Sequence, residues 1–368
     1  MAFAYKSLLT GLHYNVAMAD TPDTAEFLQA FRITSCLALS VGLFVSSLLG
    51  ISIPSAKAAN NQGDLTVTAV GDVRITAGLM DGGSERLRKI HLKGDLVFAN
   101  FEGVIGDSIA SDPWKFAVPA DALDTLRRMG INAVSLANNH SLDLGEAAYS
   151  KTLSILAHDG FQVFGDDPQG AVAEFHGSRV RVFAYSFVAT RNNVNRPDAI
   201  PASFPREHGE IVIVSAHMGG ESPQASWIPG TMEYFGDEQR GDVIAFSHRC
   251  IDSGADLVLG HGPHLPRGIE LYKGRLIVYS LGNFAFDYPG AAIHPHAPGF
   301  SISIQLKADG SFRAARIDSY DLRNGVPVPD RGEKAYRIIR DLTLQNLKQT
   351  TLTFPGDGLV VRTTEERR

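Results

Sequence analysis

GADLVLGHGPHLPRGIELYKGRLIVYSLGNFAFD, residues 254–287, is the stretch on which the reading of this chain turns. Its apolar run Leu257-Val258-Leu259 reads as a buried strand. The run stops at Gly260, and His261 and His264 follow within four residues. Pro263 stands between the two histidines and Pro266 comes after them, so this segment is not a helix interior. Two imidazoles on a loop just past a buried strand stand where open α/β sheets place ligand chemistry. A hairpin follows, with strands at 268–272 and 276–280 turning at Lys273-Gly274, and it ends in the polar pair Gly282-Asn283. Taken alone, the two histidines are as readily solvent-exposed bystanders as ligands.

The same local design recurs upstream. Residues 65–70 (LTVTAV) alternate and are β-rich, and Gly71-Asp72 ends them. DLVFA at 95–99 runs into Asn100-Phe101-Glu102, and INAVSLA at 131–137 runs into Asn138-Asn139-His140. IVIVS at 211–215 ends at His217. Helices are predicted over 85–93, 119–129, 146–158, 238–251 and 333–347. A short strand at 161–164, a hairpin pairing 172–175 with 180–185, and closing antiparallel strands at 300–306 and 312–319 complete the pattern. Residues 191–209, rich in Pro, Asn and charge, read as a loop, mobile or lid-like. Strand–helix–strand alternation with inserted hairpins implies a layered α/β fold whose sheet is mixed.

Five strand ends thus carry Asp72, Glu102, Asn139 with His140, His217, and His261 with His264. Each has a plain structural role on its own, since Asp after a strand forms turns and caps. Loaded on one end of a sheet, together they make a shared site. Carboxylate oxygens, an amide oxygen and imidazoles form a mixed N/O set, which suits Zn, Mn, Fe or Ni better than Ca or Mg alone. A divalent ion also offsets the cost of burying carboxylates.

The chain has 368 residues, 44% hydrophobic and 20% charged, with net charge −6, a globular composition long enough for one large domain or two smaller ones. Mild acidity, without a basic patch interleaved with aromatics, argues against nucleic acid as a partner. Residues 36–53 (CLALSVGLFVSSLLGISI) are free of charge, preceded by Arg32 and followed by PSAKA at 54–58. A positive flank, an apolar core and an Ala-x-Ala site are the parts of a secretory signal, with cleavage after Ala58. The basic residues removed (Lys6, Arg32, Lys57) balance the acidic ones (Asp20, Asp23, Glu26), so the net charge stays at −6. The run is also long enough to span a bilayer, so an uncleaved anchor is the alternative, and Met18 could be the start. Either form implies an exported protein, periplasmic or otherwise extracytoplasmic. Of two cysteines, cleavage leaves Cys250, read as a buried thiol in a helix, so no intrachain disulfide framework is expected.

In AVGDVRI (69–75), DLVFANFEGVI (95–105), AVSLANNHSLDLG (133–145), IVIVSAHMGGE (211–221) and the opening stretch, the chain resembles the CapA family, named for poly-γ-glutamate capsule synthesis. That family's domain is similar to calcineurin-type metallophosphoesterases. The resemblance implies a metallophosphoesterase-like α/β sandwich with mixed sheets over 59–330. A signal peptide or anchor at 1–58 would precede it, and a C-terminal helix and tail at 331–368 would follow. It implies Asp72 as the first-motif metal ligand, Glu102 where a bridging carboxylate would stand, and Asn139, His217, His261 and His264 as further ligands. His140 would contact the phosphoryl oxygen or act as acid, with Asp143 orienting it.

Three departures stand out. The superfamily's Asp-x-His reads Asp72-Val73-Arg74, so one usual histidine ligand is missing. Its Gly-Asp-x-x-Asp is replaced by a segment with only Glu102, and its final Gly-His-x-His is stretched to GHGPH. Arg74 could contact an anionic substrate instead, or form a surface salt bridge. The resemblance implies one or two divalent ions, Mn, Zn or Fe, in a phosphoesterase-like hydrolase of capsule or polyanion production. An acidic polymer or a phosphoester would be its substrate, with membrane synthase partners. The alternative is a non-catalytic accessory subunit that grips a polyanion. Lesser candidates are His294 and His296 at the entrance, Glu221 and Glu270 as supporting acids, and Trp114 and Trp227 as stacking or rim residues.

Overall fold

A computed structural model describes residues 63–107, 112–287 and 297–363, all in the second of two units, Asn61–Arg368. The charge-free run at 36–53, the Ala58 cleavage site, and His294 and His296 lie outside the described residues.

Strand β1 (Leu65–Arg74) leads to helix α1 (Ala77–Leu87). Strand β2 (Leu96–Phe101) leads to a small ribbon of β3 (Val104–Ile105) and β4 (Ala117–Val118), then α2 (Ala122–Arg128). Next come β5 (Ala133–Ser135), α3 (Glu146–His158), β6 (Gln162–Phe164), and the hairpin β7 (Ala171–Phe175) with β8 (Ser178–Ser186). A 3-10 turn (Pro197–Ala199) precedes β9 (Ile211–His217), a ribbon of β10 (Glu233–Phe235) and β11 (Glu238–Gly241), and α4 (Val243–Asp252). The stretch at 254–287 forms β12 (Leu257–His261), the hairpin β13 (Ile269–Tyr272) with β14 (Arg275–Val278), and β15 (Asn283–Phe286). Strands β16 (Gly299–Leu306), β17 (Phe312–Arg323) and β18 (Val326–Pro329) follow, then α5 (Lys334–Asn346), β19 (Leu352–Gly356) and β20 (Leu359–Arg362).

Two mixed sheets result. The ten-stranded sheet runs β19-β20-β17-β16-β1-β2-β5-β6, with β15 beside the end of β1 and β18 beside β17. Its β1, β2, β5 and β6 are parallel, while β16 and β17 are antiparallel additions. The six-stranded sheet runs β13-β14-β12-β9-β8-β7, with β14, β12, β9 and β8 parallel. The unbroken apolar runs of β2, β9 and β12 suit parallel strands covered on both faces.

The inner faces share one core, with Val67 and Phe98 from the large sheet against Ile213 and Leu259 from the small one. Helices α1, α2 and α3 cover the outer face of the large sheet through Leu79, Leu126 and Leu156. Helix α4 covers the small sheet through Phe246 and Cys250. The order helix, sheet, sheet, helix is the layered α/β sandwich with mixed sheets that the sequence implies. Each fully buried Leu or Phe contributes about 1.5–3 kcal/mol to holding it together.

Some elements differ from the sequence reading. Helix α1 covers Ala77–Leu87 rather than 85–93, because Thr76 caps it by accepting from Leu79 N at 3.2 Å. Gly83 sits inside this helix because a side chain there would strike Val326 of β18. The helix read at 238–251 starts at Val243. Residues 238–241 pair with β10 instead, and the Asp242 side chain caps α4 by accepting from Ala245 N. In the loop at 191–209, Ile200 and Phe204 are buried in the α4-side core. Hairpin β19–β20, which has no counterpart in the sequence reading, extends the large sheet through β17. None of the described helices is long and apolar enough to cross a membrane.

Candidate metal centre

The ends of the parallel strands of both sheets meet at one place. Asp72 stands fully buried at the end of β1, past a bulge, with Asn100 of β2 and Asn283 of β15 as its register neighbours. Glycine precedes it because the chain passes hard against the 282 loop. A Cβ at Gly71 would lie 1.9 Å from the Gly282 oxygen, the atom to which Asp72 N donates at 2.8 Å. In the small sheet His217 and His261 end β9 and β12 side by side. Gly262, at φ 113°, then bends the chain so that His264 turns back toward Asp72. His264 itself adopts φ 58°, a left-handed conformation that costs a non-glycine residue about 1–3 kcal/mol. Its Nδ1 lies 2.8 Å from Asn283 Oδ1.

His261 Nδ1 approaches Asp72 Oδ1 to 3.3 Å without a hydrogen bond forming, and His264 Nδ1 lies 3.3 Å from Asp72 Oδ2. Glu102 Oε1 is 3.8 Å from His264 Nε2 and 3.9 Å from His140 Nε2. Asp72, Glu102 and His264 offer buried ligand atoms that all lie within 4.8 Å of one another. Buried atoms lacking a hydrogen-bond partner gather here: Asp72 Oδ2, both Glu102 oxygens, His217 Nε2 and both His261 nitrogens; Asn139 Oδ1, on the loop before His140, is another. Each such atom costs about 1–3 kcal/mol if left unpaired. A common partner would offset them, and oxygens with imidazole nitrogens are a donor set for a divalent cation. The residues fit a metal.

The electrostatics agree. Burial works to raise the Asp72 carboxyl, but the imidazoles of His261 and His264 outweigh it and hold it well below the usual carboxylate range. Burial, and then the Asp72 charge, push Glu102 well above its usual range. Burial acts to lower His264, yet the carboxylates of Glu102, Asp72 and Glu221 prevail and push it up to about 10. Burial drives His217 well below its usual value, which keeps it the neutral imidazole a metal requires. Without an ion, the cluster draws in protons to balance its carboxylates.

His140 is held from three sides. Its Nδ1 donates to Asp143 Oδ2 at 2.8 Å, and Phe116 N donates to the same oxygen at 2.7 Å. The Phe116 ring stacks on the imidazole with centroids 3.6 Å apart. The His140 amide donates to Asn138 Oδ1 at 3.0 Å. Asn138 in turn ties to Asn100 Oδ1, and Asn100 Nδ2 donates to Asp72 Oδ1 at 2.8 Å.

The structure therefore brings Asp72, Glu102, His140, His217, His261 and His264 together, with Asn139 Oδ1 buried on the loop leading to His140. Asp143 acts on the cluster through His140. Arg74 is buried, not at the surface, and its guanidinium donates to the Asp287 carbonyl and lies 4.1 Å above the Phe116 ring. Asn100, Asn138 and Phe116 escaped sequence reasoning. For the two asparagines the signal was there, as neighbours of Glu102 and Asn139, but Phe116 follows from nothing local. Glu221 lies at the cluster, with Oε2 4.0 Å from His264 Nε2. Glu270 belongs elsewhere, bound by His248 and Tyr279. Trp114 and Trp227 are exposed. A cleft of about 440 Å³ opens beside Asn139, lined also by Ser141, Tyr149, Ser186 and Arg191.

Two packed mixed sheets whose strand ends converge on a mixed N/O ligand set define an α/β protein with a candidate divalent-ion centre. Residues 66–288 match the family model described as "Bacterial capsule synthesis protein PGA_cap", and the chain belongs to that family. It is 28% identical over 244 residues to the PGA biosynthesis protein CapA of Bacillus subtilis, covering 61% of this chain and 60% of that one. It is 30% identical over 232 residues to a probable polyglutamine synthesis accessory protein of Mycobacterium tuberculosis, covering 54% and 58% respectively. To the capsule biosynthesis protein CapA of Bacillus anthracis it is 24% identical over 335 residues, covering 81% and 77%. The chain thus spans about three-fifths of the length of the first two relatives. A crystal structure of a novel phosphatase from Mycoplasma pneumoniae matches 76% of this chain at TM-score 0.39 and 14% identity, too distant to define a shared fold.

Proposed function

We propose that the chain is a metal-dependent hydrolase of the phosphoester type, acting in the synthesis of a bacterial envelope polymer. The observation that carries this reading is the set of buried, unpartnered ligand atoms on Asp72, Glu102, His217 and His261 beside an oriented histidine. Asp72, Glu102, Asn139, His217, His261 and His264 would hold one or two divalent ions, Mn, Zn or Fe. Bound there, such an ion lowers the pKa of water and offsets the charge of a phosphoryl group. Asp143 occupies His140 Nδ1, so Nε2 faces Glu102 and the cluster, and the stacked Phe116 fixes the ring plane. From that position Nε2 protonates the leaving oxygen. The cleft beside Asn139 takes the rest of the substrate.

The substrate class is an acidic polymer or its phosphoester precursor, with an ester or amide bond in such a polymer as the variant, and nucleic acid is not a partner. The family description and the names of the Bacillus relatives support capsule synthesis as the setting. The charge-free run at 36–53 supports work outside the cytoplasm, beside a membrane synthase. The missing first-motif histidine, with Arg74 in its sequence position, favours a second reading, an accessory subunit that grips a polyanion without turnover.

Metal analysis of the purified protein, with aryl phosphate hydrolysis by wild type and His140→Ala, decides between them. The hydrolase reading expects bound ion and a rate lowered by about a hundredfold or more in the variant. No metal, or equal turnover by both proteins, overturns it.

A further inference from the structure

We propose that Arg74 is a positioning residue for His140 and acts through the Phe116 ring, which the guanidinium and the imidazole clasp from opposite faces. The role rests on the hydrolase reading above, and it gives a task to the residue standing in place of the first-motif histidine. His140 stacks on Phe116 with centroids 3.6 Å apart and planes 11° apart, which leaves no room for another group on that side. The Arg74 guanidinium carbon lies 4.1 Å from the same ring centre, and so takes the other face. A cation over an aromatic face is attracted by the ring quadrupole, and more strongly where water is excluded. Water is excluded here, since both Arg74 and Phe116 are buried. Phe286 meets the same ring edge-on, with centroids 5.9 Å apart.

The clasp is fastened to the strand that carries Asp72. Arg74 ends β1, where its carbonyl accepts from Asp287 N at 3.1 Å and its guanidinium donates to the Asp287 carbonyl. Phe116 is fastened independently, its carbonyl accepting from Val104 N at 2.9 Å and its amide donating to Asp143 Oδ2 at 2.7 Å. That carboxylate oxygen also holds His140 Nδ1, at 2.8 Å. One hydrogen bond at Nδ1 fixes a point of the imidazole and leaves its tilt free. The stacked ring removes the tilt, and Arg74 holds the ring from behind. The aim of Nε2, 3.9 Å from Glu102 Oε1, then depends on Arg74 although Phe116 stands between them.

Arg74 Nε is buried without a hydrogen-bond partner. Burying a guanidinium so incompletely bonded is costly, and a methionine of similar reach would fill the space without that cost. What the guanidinium adds is attraction for the ring. Two plain alternatives remain: Arg74 only fills the space behind Phe116, or it contacts an anionic substrate directly.

The test compares wild type, Arg74→Met, Phe116→Leu and the double variant on an aryl phosphate in the presence of Mn(II), with folding checked by circular dichroism. Arg74→Met is expected to lower kcat by about tenfold with KM little changed, since small misplacements of a reacting group cost up to about a hundredfold. The double variant is expected to be no slower than Phe116→Leu, because Arg74 then has no ring to hold. A raised KM with kcat kept marks direct contact with substrate and overturns the positioning role. Wild-type kinetics in Arg74→Met, or losses that add in the double variant, overturn it too. Histidine labelled with carbon-13 at Cε1 gives a second readout by nuclear magnetic resonance. The ring current of Phe116 shifts the His140 Hε1 signal upfield, that signal being assigned with His140→Asn, and Arg74→Met is expected to lose most of the shift. An unshifted signal in wild type, or an unchanged one in Arg74→Met, overturns the role. Should Arg74→Met not fold, Arg74→Gln takes its place, keeping a donor for the Asp287 carbonyl without the charge, and the same outcomes apply. Wild type that turns over no aryl phosphate overturns the hydrolase reading, and the His140 signal, which requires no turnover, then decides the role of Arg74 by itself.

Discussion

Replacing Glu102 with Gln removes one charge and almost no volume from the centre of the cluster. In the wild type this carboxyl is fully buried, and neither oxygen has a hydrogen-bond partner. Burial and then the neighbouring Asp72 charge raise its pKa well above the usual range. A raised carboxyl pKa lowers stability at any pH where the unfolded chain is ionised. An amide there would be as unpartnered as the carboxyl, so what the variant loses is the charge alone: ion-free, it is more stable than ion-free wild type at neutral pH by about 1.4 kcal/mol for each pH unit by which folding raises the carboxyl pKa. Loaded with ion, the sign reverses. A ligand that binds only the folded state stabilises it by about 4.1 kcal/mol at a thousandfold excess over Kd, and each tenfold loss of affinity removes about 1.4 kcal/mol. Thermal melts in chelator and in Mn(II) measure both arms. The gain in chelator should grow as pH rises above about 4.3 and vanish below it, where the unfolded glutamate is neutral as well. A variant less stable than wild type in chelator, or one shifted in the same direction in both conditions, would refute the idea that Glu102 is kept for a cation.

Two further expectations concern the frame, one beside the site and one at the far end of β9. Gly71→Ala puts a Cβ 1.9 Å from the Gly282 oxygen, which forces the end of β1 away from the 282 loop. The expected cost is about 1–3 kcal/mol of overpacking together with reduced ion loading, read by melting and elemental analysis; wild-type values for both would contradict it. Glu210 is buried, and burial acts to raise its pKa, but Arg181, the Glu207 amide and Arg179 hold it below the usual value. That stability is present above about pH 4.3 and is lost as pH falls through the lowered folded-state pKa. Urea unfolding should show wild type losing more stability than Glu210→Gln between neutral pH and pH 3, and parallel losses would count against the pairing.

The layered fold was legible because β2, β9 and β12 each open on an unbroken apolar run, and because Gly145 and Gly160 bracket α3 so closely that its limits could be read residue by residue. Helix α1 was misplaced for a physical reason. Gly82-Gly83 lowers helix propensity, but the close passage of β18 at Val326 requires a missing side chain there. The candidate ligands were legible as types at strand ends. Their supports were not, since register alone sets Asn100 beside Asp72, and Phe116 reaches His140 only through the fold. Glu221 read only as a lesser supporting acid, and nothing local pointed to Arg240, nineteen residues on, whose guanidinium donates to it.

The two sheets contribute unlike chemistry. Asp72, Glu102 and Asn139 follow strands of the large sheet and supply oxygens, whereas His217, His261 and His264 follow strands of the small sheet and supply nitrogens. Neither half is a metal site by itself. Once the sheets pack, Asp72 lies within 3.3 Å of imidazoles that the other sheet carries, so an ion there joins the two layers. With an ion bound there, its affinity and sandwich stability would be linked, and separating the sheets would release it. The αL conformation of His264 belongs to the same linkage: it bends a small-sheet residue onto Asn283 of the large sheet, and an ion shared with Asp72 would offset its strain.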